Sequence, residues 1–288
     1  MNTFIYWNPD PEIINVFGFS LRYYGVLFVM GLILGVAVLK RVFIREGIAT
    51  AKLDKLAIYG VAGIFLGARL AHCLFYEPDY YFSHPLEILI PVELTQEGYV
   101  FTGYQGLASH GGALGMLIAI WLYARHTSEP VLKTMDMIAI VGPLSGMFIR
   151  LANLANSEII GKPTDVPWAF VFARVDNTPR HPAQLYEAIV YSIIFAILWY
   201  LYRSGRKPGT GFFFGLSVVL VFASRFAIEF LKKRQVAFEE EMFFDMGQWL
   251  SVPFILIGLL FLVRGLGRKM SLTESIGSTE ENTDRSEE

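Results

Sequence analysis

Cysteine is almost absent from this sequence, in which Cys73 is the one thiol among 288 residues. A single thiol excludes an internal disulfide framework and any metal site built on two cysteines. The motifs of a serine-hydrolase elbow, a Walker phosphate-binding loop and an HExxH metal site are also missing. We therefore expect an activity that uses neither a metal nor a cofactor.

Charged residues are scarce as well, at 17% of the chain, and the formal net charge is −2. Nucleic-acid-binding proteins carry basic surfaces, so this composition gives no support for a nucleic-acid partner. Hydrophobic residues make up 54% of the chain, which is too apolar for a soluble domain of this length. The composition indicates an integral membrane protein that sits in a lipid bilayer.

Apolar segments of about 20 residues recur along the chain, and each is long enough to cross the ~30 Å hydrocarbon core of a bilayer. This pattern predicts an all-α polytopic membrane protein with about seven transmembrane helices. The segments lie near residues 21–43, 56–76, 108–125, 135–155, 184–202, 210–231 and 247–264.

Lysine and arginine are concentrated after the first, third, fifth and seventh of these segments, whereas residues 77–107 contain neither. Positive residues favour the cytoplasmic side, so the N-terminus is predicted to lie outside and the C-terminus inside. We expect one integral-membrane catalytic domain over residues 1–269, with an interfacial arm near 77–107 and a small extracytoplasmic cap near 157–183. The acidic tail, residues 270–288, is predicted to be a disordered cytoplasmic segment.

The stretch from Gly142 to Gly161 begins as an apolar helix and ends with several polar residues. On an ideal helix, Arg150, Asn153 and Glu158 fall within roughly 140° of arc. Placing the guanidinium in lipid would cost ~2.5–3.5 kcal/mol. Arg150 could extend to the membrane surface, or it could belong to a polar site that compensates for its charge.

Other polar residues favour the second alternative, because the predicted topology places all of them in the outer half of the membrane. They are Tyr23, Tyr24, Arg69, His110, Gln184, Tyr186, Glu187, Arg225, Glu229 and Gln248. Arg225 and Glu229 are four residues apart and could neutralise each other, and His110 could be a packed histidine at a helix start. Segregation to one leaflet instead favours a common site. Two arginines in a low dielectric suit a phosphate-bearing lipid, since a guanidinium binds phosphate oxygens bidentately.

The run IRLANLANSEIIG, from Ile149 to Gly161, resembles a family signature of approximately G-R-x-G-N-F-x-N-x-E-x-x-G, with Ile149 and Ala152 in place of two glycines and Leu154 in place of the phenylalanine. The polar residues of the signature and its last glycine are present here as Arg150, Asn153, Asn156, Glu158 and Gly161. Further matching blocks, in order, are RYYG (22–25), GARL (67–70), HGGALG (110–115), RHPAQLYE (180–187), RFAIEF (225–230) and MGQWLSVP (246–253). With these blocks, the chain resembles the prolipoprotein diacylglyceryl transferases over roughly residues 15–265.

The resemblance implies transfer of the sn-1,2-diacylglyceryl group from phosphatidylglycerol to the lipobox cysteine of a prolipoprotein. This reaction, the first step of bacterial lipoprotein maturation, forms a thioether and releases glycerol 1-phosphate in the cytoplasmic membrane. The implied catalytic residues are His110, as a candidate base for the substrate thiol, with Arg150 and Arg225 as phosphate ligands. The residues expected to bind or support phosphatidylglycerol are Arg150, Asn153, Asn156, Glu158, Gly161, Tyr24, Arg69 and Glu229.

An alternative from another class is a transporter or flippase that binds an anionic lipid without covalent chemistry. Such a protein needs polar groups leading to both membrane faces, or broken helices near the midplane. The sequence predicts polar crowding on one side and contains no evident inverted repeat. A structural membrane scaffold, the third interpretation, leaves the intramembrane arginines unexplained.

Overall fold

A computed structural model of the protein describes residues 4–16, 19–90, 92–95, 98–101, 106, 108–205, 208–234 and 243–284. The long helices are α1 (Tyr23–Arg45), α2 (Thr50–Phe75), α5 (Ser109–Thr127), α6 (Val131–Ala155), α7 (Ala183–Arg203), α8 (Phe212–Glu229) and α9 (Met246–Asp284). Two short helices, α3 (Pro78–Ser83) and α4 (Leu86–Leu89), follow α2. The strands are β1 (Ile5–Trp7), β2 (Glu12–Val16), β3 (Phe19–Arg22), β4 (Val92–Thr95), β5 (Gly98–Phe101), β6 (Phe170–Phe172) and β7 (Pro179–Arg180).

Within the described residues, six helices are long and apolar enough to cross a membrane. They are α1, α2, α6, α7, α8 and the Met246–Gly267 part of α9. The predicted third segment, 108–125, is the helix α5, but polar residues such as His110 and Arg125 occupy its ends and lower its mean hydropathy. The prediction of a helical, polytopic membrane protein is confirmed at this level, and the strands are short additions to it.

By internal packing, the chain divides into two compact units. The smaller unit is formed by residues 40–134, and the larger unit by residues 1–39 together with 135–288. The single catalytic domain over 1–269 and the disorder of the 270–288 tail stay predictions.

The smaller unit is built on close contact between α2 and α5. A Cβ atom added to Gly67 would lie 2.9 Å from Cα of Gly115, and one added to Gly63 would collide with Ala119 and the Gly115 backbone. Membrane helices gain little hydrophobic free energy from association, so small residues that allow tight van der Waals packing hold such pairs together. The glycines that follow His110 contribute to the same close packing of α2 and α5, because Gly111 lies against Gly67 and Ala71.

After α2, the short helices are attached to it by Arg69. Its guanidinium donates hydrogen bonds to the backbone oxygens of Ile88 (3.1 Å) and Glu87 (2.6 Å) and lies 4.8 Å from the centre of the Tyr81 ring. Arg69 is buried, so these contacts compensate for the removal of its charge from water. β4 and β5 then form an antiparallel hairpin.

In the larger unit, α6, α7 and α8 share an apolar core whose buried members include Ile140, Tyr191, Leu198 and Phe213. α8 and α9 approach closely at a glycine, because a Cβ on Gly215 would lie 2.9 Å from Cα of Leu262. The first backbone amides of α8 find an acceptor on α6. Asp136, which is buried, accepts hydrogen bonds from Gly211 N (2.6 Å) and Phe214 N (2.8 Å), and this satisfies donors that a helix N-terminus leaves free.

A small sheet combines β1, from the start of the chain, with β6 and β7, which lie between α6 and α7 in the sequence. β1 pairs in parallel with β6, which pairs antiparallel with β7. Leu154, Ile160, Phe170 and Phe172 form its buried apolar side, and Trp7 donates its indole N–H to the backbone oxygen of Leu154 at 2.9 Å. This sheet fixes the path of the chain just after α6 ends, which is where the polar sequence stretch lies.

Candidate functional site

The C-terminal end of α6 carries a chain of side-chain hydrogen bonds. Arg150 donates from Nη1 to Asn153 Oδ1 at 3.2 Å, and Asn153 donates from Nδ2 to Glu158 Oε2 at 2.9 Å. Asn156 donates to the other Glu158 oxygen, Oε1, also at 2.9 Å. The signature residues are thus joined by hydrogen bonds, and the two asparagines fix the orientation of the Glu158 carboxylate, which can accept further hydrogen bonds.

The backbone that follows α6 is strained. Ser157 has φ 57° and Ile159 has φ 55°, a left-handed conformation that is unfavourable for a β-branched residue such as Ile159. The turn is held by Glu158 N, which donates to Asn153 O at 2.9 Å, and by the Gln184 side chain, which donates to Glu158 O. Such strain is retained where surrounding contacts impose it, and here it directs Glu158 back toward the end of α6.

Glu187, in the first part of α7, lies at the centre of an ion-pair network. Its side chain is fully buried, with Oε2 at 3.2 Å from Arg150 Nε and Oε1 at 3.0 Å from Lys232 Nζ. Lys232 also lies 3.0 Å from Glu229 Oε2. The Arg150–Glu187 contact is a close ion pair without the geometry of a good hydrogen bond. Charges therefore alternate from α6 through α7 to the end of α8, as buried ionic groups require.

Arg225 does not pair with Glu229, although their i,i+4 spacing permits it. Glu229 is bound to Lys232 instead, and Arg225 forms no ion pair with a carboxylate of the described residues. Arg225 and Arg150 both interact electrostatically with Tyr191. Tyr191 packs against α6 at Gly146, where an added Cβ would lie 3.0 Å from the ring. Among the described residues, the half-buried Arg225 therefore lacks a carboxylate partner, and its positive charge is available to an anion.

Two further predicted site residues belong to the larger unit. Tyr24, near the start of α1, is partly buried and interacts electrostatically with Glu158 and Arg150. Gly161 is buried, donates its N–H to His181 O at 3.0 Å, and has no room for a side chain, because an added Cβ would lie 2.9 Å from Leu231 O. Gly161 thereby allows three chain segments to meet, which is a structural reason for glycine at this place.

His110 and Arg69 belong to the smaller unit. His110 is exposed in the first turn of α5, and its ring lies 5.8 Å from that of Tyr76. Arg69 is engaged by the backbone of α4 and by Tyr81. The described contacts of Arg69 are therefore those of a residue that anchors a chain segment.

A second polar chain lies where the segment 157–182 leads into α7. Trp168 donates its indole N–H to the Tyr186 hydroxyl at 2.9 Å, and that hydroxyl lies 3.1 Å from His181 Nδ1. Burial lowers the pKa of His181, which favours the neutral imidazole as an acceptor for the tyrosine hydroxyl. Next to it, Asp176 forms an ion pair with Arg180, and this hydrogen bonding lowers the pKa of Asp176.

Sequence reasoning placed Gln184 and Glu187 among the polar residues of the outer half but gave them no role, and it missed two further contributors to the site, Tyr191 and Lys232. Signals existed for Glu187 and Lys232. Glu187 closes the block RHPAQLYE, and an acid in the first turns of a membrane helix requires a partner. Lys232 follows Glu229 by three residues, a spacing that permits pairing. Nothing in the local sequence distinguishes Tyr191 from ordinary helix residues.

Comparison with known proteins agrees with the resemblance over residues 15–265. The family model described as prolipoprotein diacylglyceryl transferase matches residues 11–264. A phosphatidylglycerol–prolipoprotein diacylglyceryl transferase of Bacteroides fragilis is 52% identical over 260 residues, which cover 90% of this chain and 94% of that protein. Proteins of the same name from Tolumonas auensis and Chloroherpeton thalassium are 46% and 42% identical, over 90% and 92% of this chain and 96% of each relative. The chain belongs to the prolipoprotein diacylglyceryl transferase family.

Proposed function

We propose that this protein transfers the sn-1,2-diacylglyceryl group of phosphatidylglycerol to the lipobox cysteine of prolipoproteins. The substrate thiolate attacks the glyceryl carbon that carries the phosphate, so a C–S bond forms and a C–O bond breaks. The thiol proton passes to a base, and glycerol 1-phosphate leaves with the bonding electrons. The nucleophile belongs to the substrate, which is consistent with a buried Cys73 as the one thiol of the chain.

The observation that carries this proposal is the charge on Arg225. Arg150 is compensated by Glu187 at 3.2 Å and Lys232 by Glu187 and Glu229 at 3.0 Å, whereas Arg225 has no described carboxylate partner. A guanidinium in a low-dielectric site binds phosphate oxygens bidentately. Arg225 holds the phosphate, and Arg150 stabilises the negative charge that develops on the leaving phosphomonoester.

The remaining signature residues position these groups. Asn153 and Asn156 fix the Glu158 carboxylate, which accepts hydrogen bonds from the glycerol headgroup of phosphatidylglycerol. Tyr24 lies in the same electrostatic environment and supports the lipid. Glu229 keeps Lys232 in place, and Gly161 keeps the backbone after α6 in contact with the end of α8.

His110 is the proposed base for the substrate thiol. A thiol with a pKa of about 8.5 is mostly protonated at neutral pH, so proton removal accelerates its attack. The exposure of the imidazole at the start of α5 leaves it accessible to a substrate. Arg69 contributes indirectly by anchoring the segment that follows α2.

The orientation completes the proposal. The protein spans a bacterial cytoplasmic membrane with α5 as a seventh transmembrane helix, its N-terminus outside and its C-terminus inside. Residues 77–107 form an arm at the outer interface and residues 157–183 form an extracytoplasmic cap. Prolipoproteins then present the lipobox cysteine at the outer surface, where phosphatidylglycerol of the outer leaflet is the donor.

The direct test uses purified full-length protein, phosphatidylglycerol vesicles and a synthetic lipobox peptide, with mass spectrometry of the peptide. A mass increase of one diacylglyceryl group on cysteine, with release of glycerol 1-phosphate, is the expected result. The Cys73→Ala variant should retain this activity, with at most a packing loss of about 1 kcal/mol. A covalent diacylglyceryl adduct on Cys73, or a folded but inactive Cys73→Ala protein, would contradict direct transfer. Lipid movement between leaflets without peptide modification would instead support the flippase alternative, which no observation favours.

A further inference from the structure

The α2–α5 pair carries an open apolar groove of about 440 Å³. Its walls include Ile58, Leu66, Ile118 and Leu122, all of them exposed. The glycine contact between the two helices forms its floor, because side chains are missing there. The groove is confined to the smaller unit and is separate from the residues that bind the donor phosphate in the proposed function.

One end of this groove is basic. Lys55 lies one helical turn before Tyr59, and its Nζ is 3.4 Å from Nε2 of His126. The Tyr59 ring, which lines the groove, is 6.2 Å from the His126 ring. On α5, Arg125 lies over the ring of the exposed Trp121 at 4.7 Å, an arrangement typical of residues at a membrane interface.

The positive charge at this end is not compensated within the described part of the chain. Lys52 is neutralised by Glu129 at 2.6 Å. Lys55 and Arg125, in contrast, form no ion pair with a carboxylate in the described ranges, and neither does the neighbouring Asp54. Two cations, an imidazole and the single carboxylate of Asp54 therefore face the surface at the point where the apolar groove begins, and their net charge is positive.

The dimensions of the groove fit one lipid chain. Its lining on α2 runs from Ile58 to Leu70, which corresponds to ~18 Å of helix. Half of a ~30 Å hydrocarbon core is ~15 Å, so the groove covers the depth of one leaflet. A partner transmembrane helix would need a contact surface across both leaflets. An acyl chain needs only the depth of one leaflet, which the groove provides.

We infer that the α2–α5 face binds an anionic phospholipid, with an acyl chain in the groove and the phosphate at Lys55, Arg125 and His126. Under the orientation proposed above, this phospholipid belongs to the inner leaflet. The lipid headgroup compensates for the two cations, and its chain fills the space over the glycine contact. The site gives the α2–α5 pair a bound lipid that does not take part in the proposed reaction.

A local fluorescence measurement tests this site. The full-length protein is reconstituted in nanodiscs that contain phosphatidylcholine with a fixed fraction of brominated phosphatidylglycerol or brominated phosphatidylcholine. Bromine quenches nearby tryptophans, and the difference between the unmodified protein and Trp121→Phe isolates the signal of Trp121. Each cation near the surface should raise the apparent affinity for the anionic lipid about fivefold. Trp121 should therefore be quenched more strongly by the brominated phosphatidylglycerol.

Matched variants separate the headgroup from the groove. Lys55→Gln combined with Arg125→Gln should abolish the preference for the anionic lipid, whereas Lys40→Gln combined with Arg41→Gln should keep it. Ala62→Phe adds a ring inside the groove and should reduce quenching by both lipids. Val61→Phe is the control, because Val61 is an exposed neighbour of Ala62 that does not line the groove. This variant should leave the quenching by both lipids unchanged.

Equal quenching of Trp121 by the two lipids in the unmodified protein would overturn the inference. So would an unchanged preference in the Lys55→Gln/Arg125→Gln variant. Diacylglyceryl transfer is measured on the same variants and should stay near the unmodified rate. This readout makes a failure of the lipid site distinguishable from a failure of the proposed function, which the peptide assay tests separately.

Discussion

Arg150 and Glu187 form an ion pair across α6 and α7, with 3.2 Å between Nε and Oε2, and Glu187 is completely buried. Glu187 also holds Lys232, so one carboxylate compensates for two cations. Removing the charge of Glu187 leaves Arg150 without a carboxylate partner among the described residues and leaves Lys232 with Glu229 alone. Breaking a buried ion pair on one side costs about 3–5 kcal/mol. Glu187→Gln should therefore lower the unfolding free energy by about this amount, measured by thermal unfolding in detergent.

A surface pair provides the control for this experiment. Glu12 and Arg22 are 3.4 Å apart, with side chains 36% and 63% exposed, and such pairs contribute about 0–1 kcal/mol. Glu12→Gln should change stability by no more than that. If Glu187→Gln and Glu12→Gln lower the unfolding free energy by the same amount, the ion-pair network around Glu187 does not stabilise the fold as described.

The two arginines are expected to need their guanidinium groups. Arg225→Lys and Arg150→Lys keep the charge but lose the bidentate fork. Transfer to a lipobox peptide should fall about 10²-fold or more, as when a transition-state donor is lost. Arg174→Lys, an exposed cationic residue of the same unit, should retain activity. Near-normal rates in the Arg225→Lys variant would mean that Arg225 does not bind the phosphate.

His110→Gln tests the identity of the base. Loss of a general base lowers turnover by about 10²–10⁴-fold. Binding of phosphatidylglycerol should persist, and a higher pH should partly restore the rate because more of the substrate thiol ionises unaided. His84→Gln, on the same unit, serves as the control and should leave the rate unchanged. Loss of lipid binding without rescue by pH would make His110 a headgroup ligand instead.

Gly67 is expected to tolerate no side chain. A Cβ there would lie 2.9 Å from Cα and 3.1 Å from N of Gly115, so Gly67→Ala must separate α2 from α5. The cost of such overpacking is about 1–3 kcal/mol. Gly142→Ala is the matched control, because nothing lies within 4 Å of its added Cβ. Alanine at that helical position should stabilise the protein by about 0.5–1 kcal/mol. Similar thermal stabilities of the two variants would refute the close contact.

Burial lowers the pKa of His181 below its ordinary value of 6.5, which predicts an acid-sensitive stability. Above pH 6.5 neither the folded nor the unfolded chain binds the proton, and the stability is fully present. As the pH falls below 6.5, the unfolded chain binds the proton first, so the stability decreases until the folded pKa is passed. His181→Gln should reduce the loss of thermal stability between pH 7.5 and pH 5.5. An unchanged loss in that variant would show that other groups cause it.

The sequence by itself determined the membrane class, the position of the long apolar helices and the polar run from Arg150 to Gly161. The reason is local, because apolar length decides which segments cross a bilayer and a charged residue within one is costly wherever it lies. The family resemblance added the reaction, since several blocks occur in the right order. None of this required knowledge of which helices are neighbours.

The pairing of charges was decided by the tertiary structure. The spacing of Arg225 and Glu229 permits an ion pair, yet Glu229 binds Lys232, and Glu187 on another helix binds Arg150 and Lys232. Sequence spacing specifies only which side chains share a helix face. Which carboxylate reaches which cation depends on the approach of α6, α7 and the end of α8, which their apolar packing sets.

The same holds for the glycines that follow His110. In a sequence, such glycines can provide either an open backbone for a ligand or a close contact between helices. The tertiary structure decided for the contact, because Gly111 lies against Gly67 and Ala71. A missing side chain leaves space, and only the packing of the neighbouring helix determines whether that space is filled by another backbone or stays open to a ligand.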